Sequence, residues 1–285
     1  MTQSNLLKSI FNISKLIDLD LENSNYSSSS TTRINAVGEN LESFIKDSFC
    51  GIPGKIENRE NAYKEVFSWE GSKNNPPDAM LRDSDAIEIK KHQGTSASDI
   101  ALNSSPPRTK LKHDDSKISD GCKKSEKTPW TKNYLYLVGN VVDNKIQEII
   151  FCYGDCFVAE DSIYQKPVDA VRKVLDKLKK KGLETADTNE LGKISKVDPL
   201  GLSGLRIRGM WSIKSPKKFF ENEIKSNTNG KLLIVAIMTK EKFDKFPDED
   251  RLRLDDNFDT KHFKSPDPND SKKMINLVII QSSSN

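Results

Sequence analysis

The chain is short of the residues on which many enzyme chemistries depend. It has three histidines, His92, His113 and His262, with no metal-ligand spacing among them, which disfavours a histidine-metal active site. Its four cysteines, Cys50, Cys122, Cys152 and Cys156, are scattered. Only the last two are close, and no histidine lies nearby, so reduced thiols packed in the protein are expected rather than a zinc half-site. Neither a Walker-type Gly-rich loop nor a dinucleotide fingerprint occurs, which argues against the common nucleotide-binding folds. No apolar run approaches the length of a bilayer, and the first residues lack a basic flank followed by an apolar region; a cytoplasmic protein is expected. Excess charge of one sign is missing as well. The 45 basic and 42 acidic residues leave a formal net charge of +3, too small for the total to argue for a nucleic-acid partner.

What is present describes a folded chain. Its 285 residues, 35% hydrophobic and 31% charged, can bury a large core beneath a polar surface. Basic residues concentrate at Arg108–Lys112, Lys123–Lys132 and Arg206–Lys218. Local density of this kind suits phosphate contact, and equally a solvated face.

Periodicity supplies a coarse order of elements. Leu6, Ile10, Ile13 and Ile17 predict a helix over 4–19, and a serine-rich connection follows at Glu22–Thr32. A second helix is expected over Asn35–Ser48, stopped by Gly51 and Pro53. Three extended segments come next: Tyr63–Trp69, Asp78–Arg82 and Ala86–Lys90, the last two flanking a turn at Asp83–Asp85. A helix is expected to begin near Asp114 or Asp115, then a hairpin of Asn133–Val142 with Ile146–Tyr153. Val168, Val171, Leu175 and Leu178 mark a helix ending at Gly182. Lys231–Met238 and Met274–Ile280 read as buried strands, and the charged stretch Lys240–Asp270 between them as surface loop. The expected class is α/β, a mixed central sheet flanked by helices. Its parts are an N-terminal helix and linker (1–32), a catalytic core (33–160) and a merged recognition and C-terminal region (161–285).

The chemistry concentrates in Asn75-Pro76-Pro77-Asp78 and Ala86-Ile87-Glu88-Ile89-Lys90-Lys91. Residues two apart share a strand face, so Glu88 and Lys90 project together while Ile87 and Ile89 pack behind them. The intervening turn folds Asp78 back toward that face. Two carboxylates and an ammonium at a sheet edge suit phosphodiester hydrolysis assisted by a hard metal ion. Asp78, Glu88 and the carbonyl of Ile89 are the candidate ligands for Mg2+, and Lys90 would sit beside the attacking water. A solvated hairpin explains the bare pattern too. The proline before Asp78, the short apolar strand and the order of the following elements favour the nuclease.

The segments Arg33–Glu42, Asn75–Leu81, Asp85–Lys91, Ala101–Ser105, Val197–Leu200 and Arg206–Trp211 resemble the NgoPII-type type II restriction endonucleases of the PD-(D/E)xK superfamily. The resemblance runs from about Arg33 to Trp211. It implies a bacterial enzyme that cuts duplex DNA at the palindrome GGCC with magnesium, beside a cognate DNA methyltransferase. Carried over by motif position, Asp78, Glu88 and Lys90 form the catalytic set. Glu42, on the polar side of its helix, is an additional candidate, and a plain surface glutamate explains it as well.

Guanine offers two major-groove acceptors that match the arginine fork. Arg206 and Arg208, alternating on an expected strand that ends at Gly209-Met210-Trp211, are the candidates for that contact, or else an ordinary exposed strand face. Asn103, Ser104 and Ser105 suit phosphates or bases, or loop capping; Lys91, Lys110 and Lys112 suit the backbone. A palindromic site pairs with a homodimer. The competing readings are a non-catalytic DNA-binding protein, for which Asp78, Glu88 and Lys90 are incidental, and a repair-type nuclease with the same core.

Overall fold

Leu6, Leu7, Ile10 and Ile13 lie on one side of a helix and are all buried, and Leu41, Phe44 and Ile45 repeat the pattern on the next. These helices, α1 (Leu6–Ser14) and α2 (Arg33–Phe49), pack on each other and on the sheet that follows. Asn5 caps α1, its side-chain oxygen accepting from the Lys8 amide at 3.1 Å. The computed structural model describes residues 3–15, 33–52, 58–72, 75–93, 99–103, 105–143, 145–185, 190–200, 202–225, 232–254 and 258–282, with the backbone alone at 33–39 and 103. The serine-rich connection and residues 16–19 of the expected first helix lie outside these.

The segment expected as a strand at Tyr63–Trp69 is instead the end of a helix, α3 (Arg59–Val66), running into β1 (Phe67–Ser72). Tertiary contacts decide this. Tyr63 is buried with its hydroxyl donating to Asp47 Oδ1 at 2.7 Å, and Arg59 grips the same carboxylate through Nε at 2.9 Å. Next come β2 (Asn75–Leu81), β3 (Ala86–Gln93), β4 (Ile100–Asn103) and β5 (Lys110–Lys112). The helix expected from Asp114 or Asp115 is reduced to one turn, α4 (Asp120–Lys123). The Asp115 carboxylate accepts from the Lys117 amide at 2.7 Å, a local bond that competes with helix formation.

A hairpin of β6 (Thr131–Val142) and β7 (Lys145–Tyr153) follows, then a long helix, α5 (Asp161–Lys180). Short strands β8 (Glu184–Thr185), β9 (Gly192–Ser195) and β10 (Leu205–Ile207) form a separate small sheet, and β11 (Trp211–Ile213) pairs with β4. After α6 (Pro216–Phe219) come β12 (Leu233–Thr239), α7 (Lys240–Asp244), α8 (Asp248–Leu252), β13 (Phe258–Asp267) and β14 (Asp270–Ser282). The stretch expected as loop at Lys240–Asp270 therefore holds two helices and a strand. Only Phe258 and Ser265 of β13 are buried, because it is a charged edge strand, and an edge of that kind hides the alternation that marks a half-buried one.

Among the described residues the main sheet runs β1-β2-β3-β6-β7-β12-β14-β13, with β5 added to β6. The β3–β6 and β7–β12 neighbours are parallel and the others along this path antiparallel. This is a mixed α/β architecture, a central mixed sheet flanked by helices. Alternation along each strand sends its side chains to two faces. Ile87 and Ile89 of β3, with Leu135 and Leu137 of β6, join α1 and α2 in the larger core. Gly139 on β6 makes that packing possible, since a Cβ there would stand 2.6 Å from Leu41. Met80, Ala86, Tyr134, Tyr136 and Val138 form a second cluster on the opposite face. It is this second face that carries the polar site.

Candidate active site

β2 and β3 are joined through a turn in which Asp83 takes a left-handed conformation (φ 54°), and the reversal lays Asp78 beside Glu88 and Lys90. Asp78 Oδ2 accepts the Ile89 amide at 2.6 Å. Glu88 is buried and divides its carboxylate: Oε1 meets Lys90 Nζ at 2.6 Å, and Oε2 accepts the Tyr134 hydroxyl at 2.8 Å. The three polar groups thus share the wall of one open cleft, which also takes in Asn75, Ser105, Arg108 and Ser119.

The electrostatics of this cluster are unbalanced. Burial and the negative charge of Glu88 push the Asp78 carboxyl up to about 7, against the pull of Lys90 and the Ile89 amide. Burial draws the Lys90 ammonium down, but Glu88 and Asp78 outweigh it and leave it above its ordinary value. Lys90 is therefore a fixed positive charge, wedged between carboxylates that it does not fully neutralise. Glu42 is the last contributor to both shifts. Its own carboxylate is taken by Lys46 Nζ at 2.7 Å, and Lys46 also reaches Glu70 at 3.5 Å. Glu42 therefore borders the cluster without joining it.

Crowded carboxylates of this kind fit a hard cation. No group of three or more His, Cys, Asp and Glu side chains suited to a metal converges among the described residues, so a cation here would complete its shell with backbone oxygen, water or phosphate. Magnesium coordinates in that manner, keeping waters and taking one or two carboxylates.

Residues 4–269 match the family described as NgoPII restriction endonuclease. The chain is 35% identical over 259 residues to the type II restriction enzyme NgoPII of Neisseria gonorrhoeae, covering 89% of this chain and 91% of that protein. The chain belongs to the NgoPII restriction endonuclease family. No solved structure matches it. As a member of the family it is a type II restriction enzyme, a site-specific deoxyribonuclease. No described helix is long and apolar enough to cross a membrane.

In this restriction endonuclease the expected DNA contacts fall into separate places. Ser105 lines the carboxylate cleft, and Lys110 and Lys112 line an adjoining cleft of about 700 Å³ together with Arg172, Arg208 and Trp211. Pro106, Arg108, Ser116 and Lys117 border both. Lys91 follows Lys90 on β3 and by alternation projects to the opposite face, that of Ile87 and Ile89, so it lies away from the carboxylate cleft. Burial draws its ammonium below the usual value. The Asn103 backbone pairs with Trp211, while its side chain and all of Ser104 lie outside the described residues. Arg206 and Arg208 do not share one continuous strand. β10 ends at Ile207, and Trp211 belongs to β11 in a different sheet. The break at Arg208–Met210 carries the chain from the small sheet across to β4.

Two supports of the site were not visible in the sequence. Tyr134 read only as one of several apolar residues alternating along β6. Burial, and next the charge of Glu88, drive its phenol well above the ordinary range, so it stays protonated and donates to Glu88. The Arg108 guanidinium lies 5.9 Å from the Tyr134 ring and binds Asp115 through Nε at 2.9 Å. Removing that one donor with Tyr134→Phe is expected to lower cleavage or the apparent affinity for magnesium about 10- to 100-fold, the usual cost of losing a partner to a metal-binding carboxylate. Titrating cleavage rate against magnesium checks this, and an unchanged curve would remove Tyr134 from the site.

Proposed function

We propose that the enzyme hydrolyses phosphodiesters of duplex DNA at the palindrome GGCC in a magnesium-dependent reaction. The observation that carries this reading is the convergence of Asp78, Glu88 and Lys90 on one wall, with the Asp78 carboxyl pushed upward by burial and by the like charge of Glu88, which a cation would offset. Asp78 and Glu88, with the Ile89 carbonyl, would hold the metal. Magnesium, when bound, would supply Lewis acidity to the phosphoryl group and to the attacking water. Lys90 stays protonated, so it acts not as the base but as a positioned cation. It orients the water and offsets charge that develops on the phosphate oxygens. Tyr134 fixes the Glu88 carboxylate, and the Ile89 amide fixes that of Asp78. Lys110 and Lys112 suit the DNA backbone, and Ser105, on the lining of the cleft, suits a phosphate entering it.

The preference for GGCC is supported by the family resemblance and by arginine chemistry, Arg206 and Arg208 being suited to paired guanine acceptors. A two-fold symmetric site favours a homodimer in which each protomer cuts one strand. A cognate methyltransferase protecting the same site, in a bacterial cytoplasm, completes the reading. The test is digestion of plasmid DNA with magnesium, followed by sequencing of the fragment ends. Discrete fragments cut within GGCC, and none when the metal is chelated, are the expected result. Intact DNA under magnesium, or cuts without a common sequence, would overturn it.

A further inference from the structure

Arg206 and Arg208 are not at liberty in the DNA-free chain, because one carboxylate holds both. Glu190 takes Arg206 in a two-point fork, Nε to Oε2 at 2.9 Å and Nη2 to Oε1 at 2.6 Å. Its Oε1 also accepts from Arg208 Nε at 2.7 Å. The Glu190 side chain is 15% exposed, while the two guanidinium groups are 57% and 59% exposed. The acid therefore sits beneath and the bases face outward. Glu190 and Arg208 line the same cleft as Lys110 and Lys112, which adjoins the carboxylate site through Arg108.

We propose that Glu190 is a specificity-determining residue, an internal competitor that yields the two arginines to paired acceptors on a base edge more readily than to phosphates. The proposal rests on the restriction-enzyme reading for its cognate site. The chemistry is that of the arginine fork. A carboxylate offers two coplanar acceptors, and the guanine edge likewise offers two, O6 and N7. A base pair in register can therefore replace what Arg206 gives up. A lone phosphate contact replaces it less well, and it also brings a second negative charge up to Glu190. Sequence-independent affinity for DNA comes almost wholly from phosphate contacts, so a carboxylate that withholds two cations lowers the background against which the cognate site competes.

The experiment measures binding of wild type, Glu190→Gln and Glu184→Gln to a duplex with one GGCC and to one with none, over a range of salt, with calcium replacing magnesium. Glu184 pairs with Lys196 at 2.9 Å on the same small sheet, so its substitution changes net charge equally without touching either arginine. For Glu190→Gln the site-free duplex is expected to bind about tenfold more tightly, with a salt dependence steeper by about one to two counterions. Preference for the GGCC duplex should fall, and Glu184→Gln should behave as wild type. The proposal is overturned if Glu190→Gln matches wild type on the site-free duplex. It is also overturned if Glu184→Gln shifts by as much, which would make net charge the cause, or if Glu190→Gln binds both duplexes less well, which would make Glu190 a scaffold. Wild-type cleavage under magnesium is read in parallel. Its failure tells against the restriction-enzyme reading, whereas an indifferent Glu190→Gln beside an active wild type tells against the clamp alone.

Discussion

Replacing Lys90 by alanine is expected to slow strand cleavage by about three orders of magnitude, roughly 4 kcal/mol at the transition state, while DNA binding and the fold persist. The side chain is partly exposed on the cleft wall, at 24%, so truncating it opens no cavity in either core. What is lost is the cation that pairs with Glu88 and raises the ionised fraction of Asp78. A bound magnesium ion would offset the carboxylate charge but would not position the attacking water as the ammonium does. In the free chain the ammonium occupies Glu88 Oε1, so the variant should bind the metal at least as well and still be slow. A single-turnover cleavage rate, a gel shift in calcium and a melting curve separate the three effects. Cleavage within tenfold of wild type would rule out Lys90 as the residue that positions the water.

The largest effect on stability is expected from Lys132→Ala. Lys132 is 2% exposed, and its ammonium donates to the Leu81 carbonyl at 2.7 Å while pairing with Glu126 Oε1 at 2.6 Å. Glu126 in turn accepts the Asp83 amide at 3.2 Å. The pair thus holds both ends of the turn between Asp78 and Glu88. Removing Lys132 leaves the Glu126 carboxylate without its cation, though the Asp83 amide still donates to it, and leaves the Leu81 carbonyl with the Ser84 amide. Breaking a buried ion pair of this kind costs about 3–5 kcal/mol. In a chain of this size that is a fall of roughly 10 °C in Tm. A pH dependence accompanies it. Burial raises the Glu126 carboxyl, but hydrogen bonds from Lys132 and Ser68 outweigh it and hold it below its ordinary 4.5. A depressed carboxyl stabilises the fold fully above that value, and its contribution disappears as pH falls through the lower folded value. Melting curves from neutral to acid pH should therefore converge for wild type and variant at the acid end. Parallel curves, or a change in Tm of a degree or two, would show the pair to be incidental.

The elements that face the core were legible in the chain, and those that do not were not. The run in β12 and the hairpin of β6 and β7 carry apolar residues the sheet must bury, so their patterns are strong. β13 runs for 10 residues beside the 13 of β14, but nearly all its side chains meet solvent. α3 is short and buries only Tyr63 among its described side chains, so its local pattern could not outweigh the aromatic, strand-like composition around it. Within the cleft, Glu88 and Lys90 were readable because alternation along a strand fixes their common side. The roles of Tyr134, Lys132 and Glu190 were not, because each depends on a partner that only the folded chain brings near. Lys132 lies 51 residues from the carbonyl it binds. Its basic neighbourhood suggested a surface for phosphates, whereas the structure buries it.

Asp85, the residue before β3, is 1% exposed and accepts the Tyr153 hydroxyl and the Lys242 ammonium, each at 2.7 Å. Lys242 belongs to α7, 157 residues further along the chain. A buried carboxylate deprived of its cation is costly, so the turn that sets Asp78 against Glu88 is incomplete until that late helix has been made and docked. During synthesis the wall of Asp78, Glu88 and Lys90 therefore lacks this anchor until Lys242 has been made, although its own residues are translated early. A chain that stops short of Lys242 would carry Asp78, Glu88 and Lys90, the proposed catalytic set, on a hairpin lacking its anchor, and is expected to be a poor nuclease.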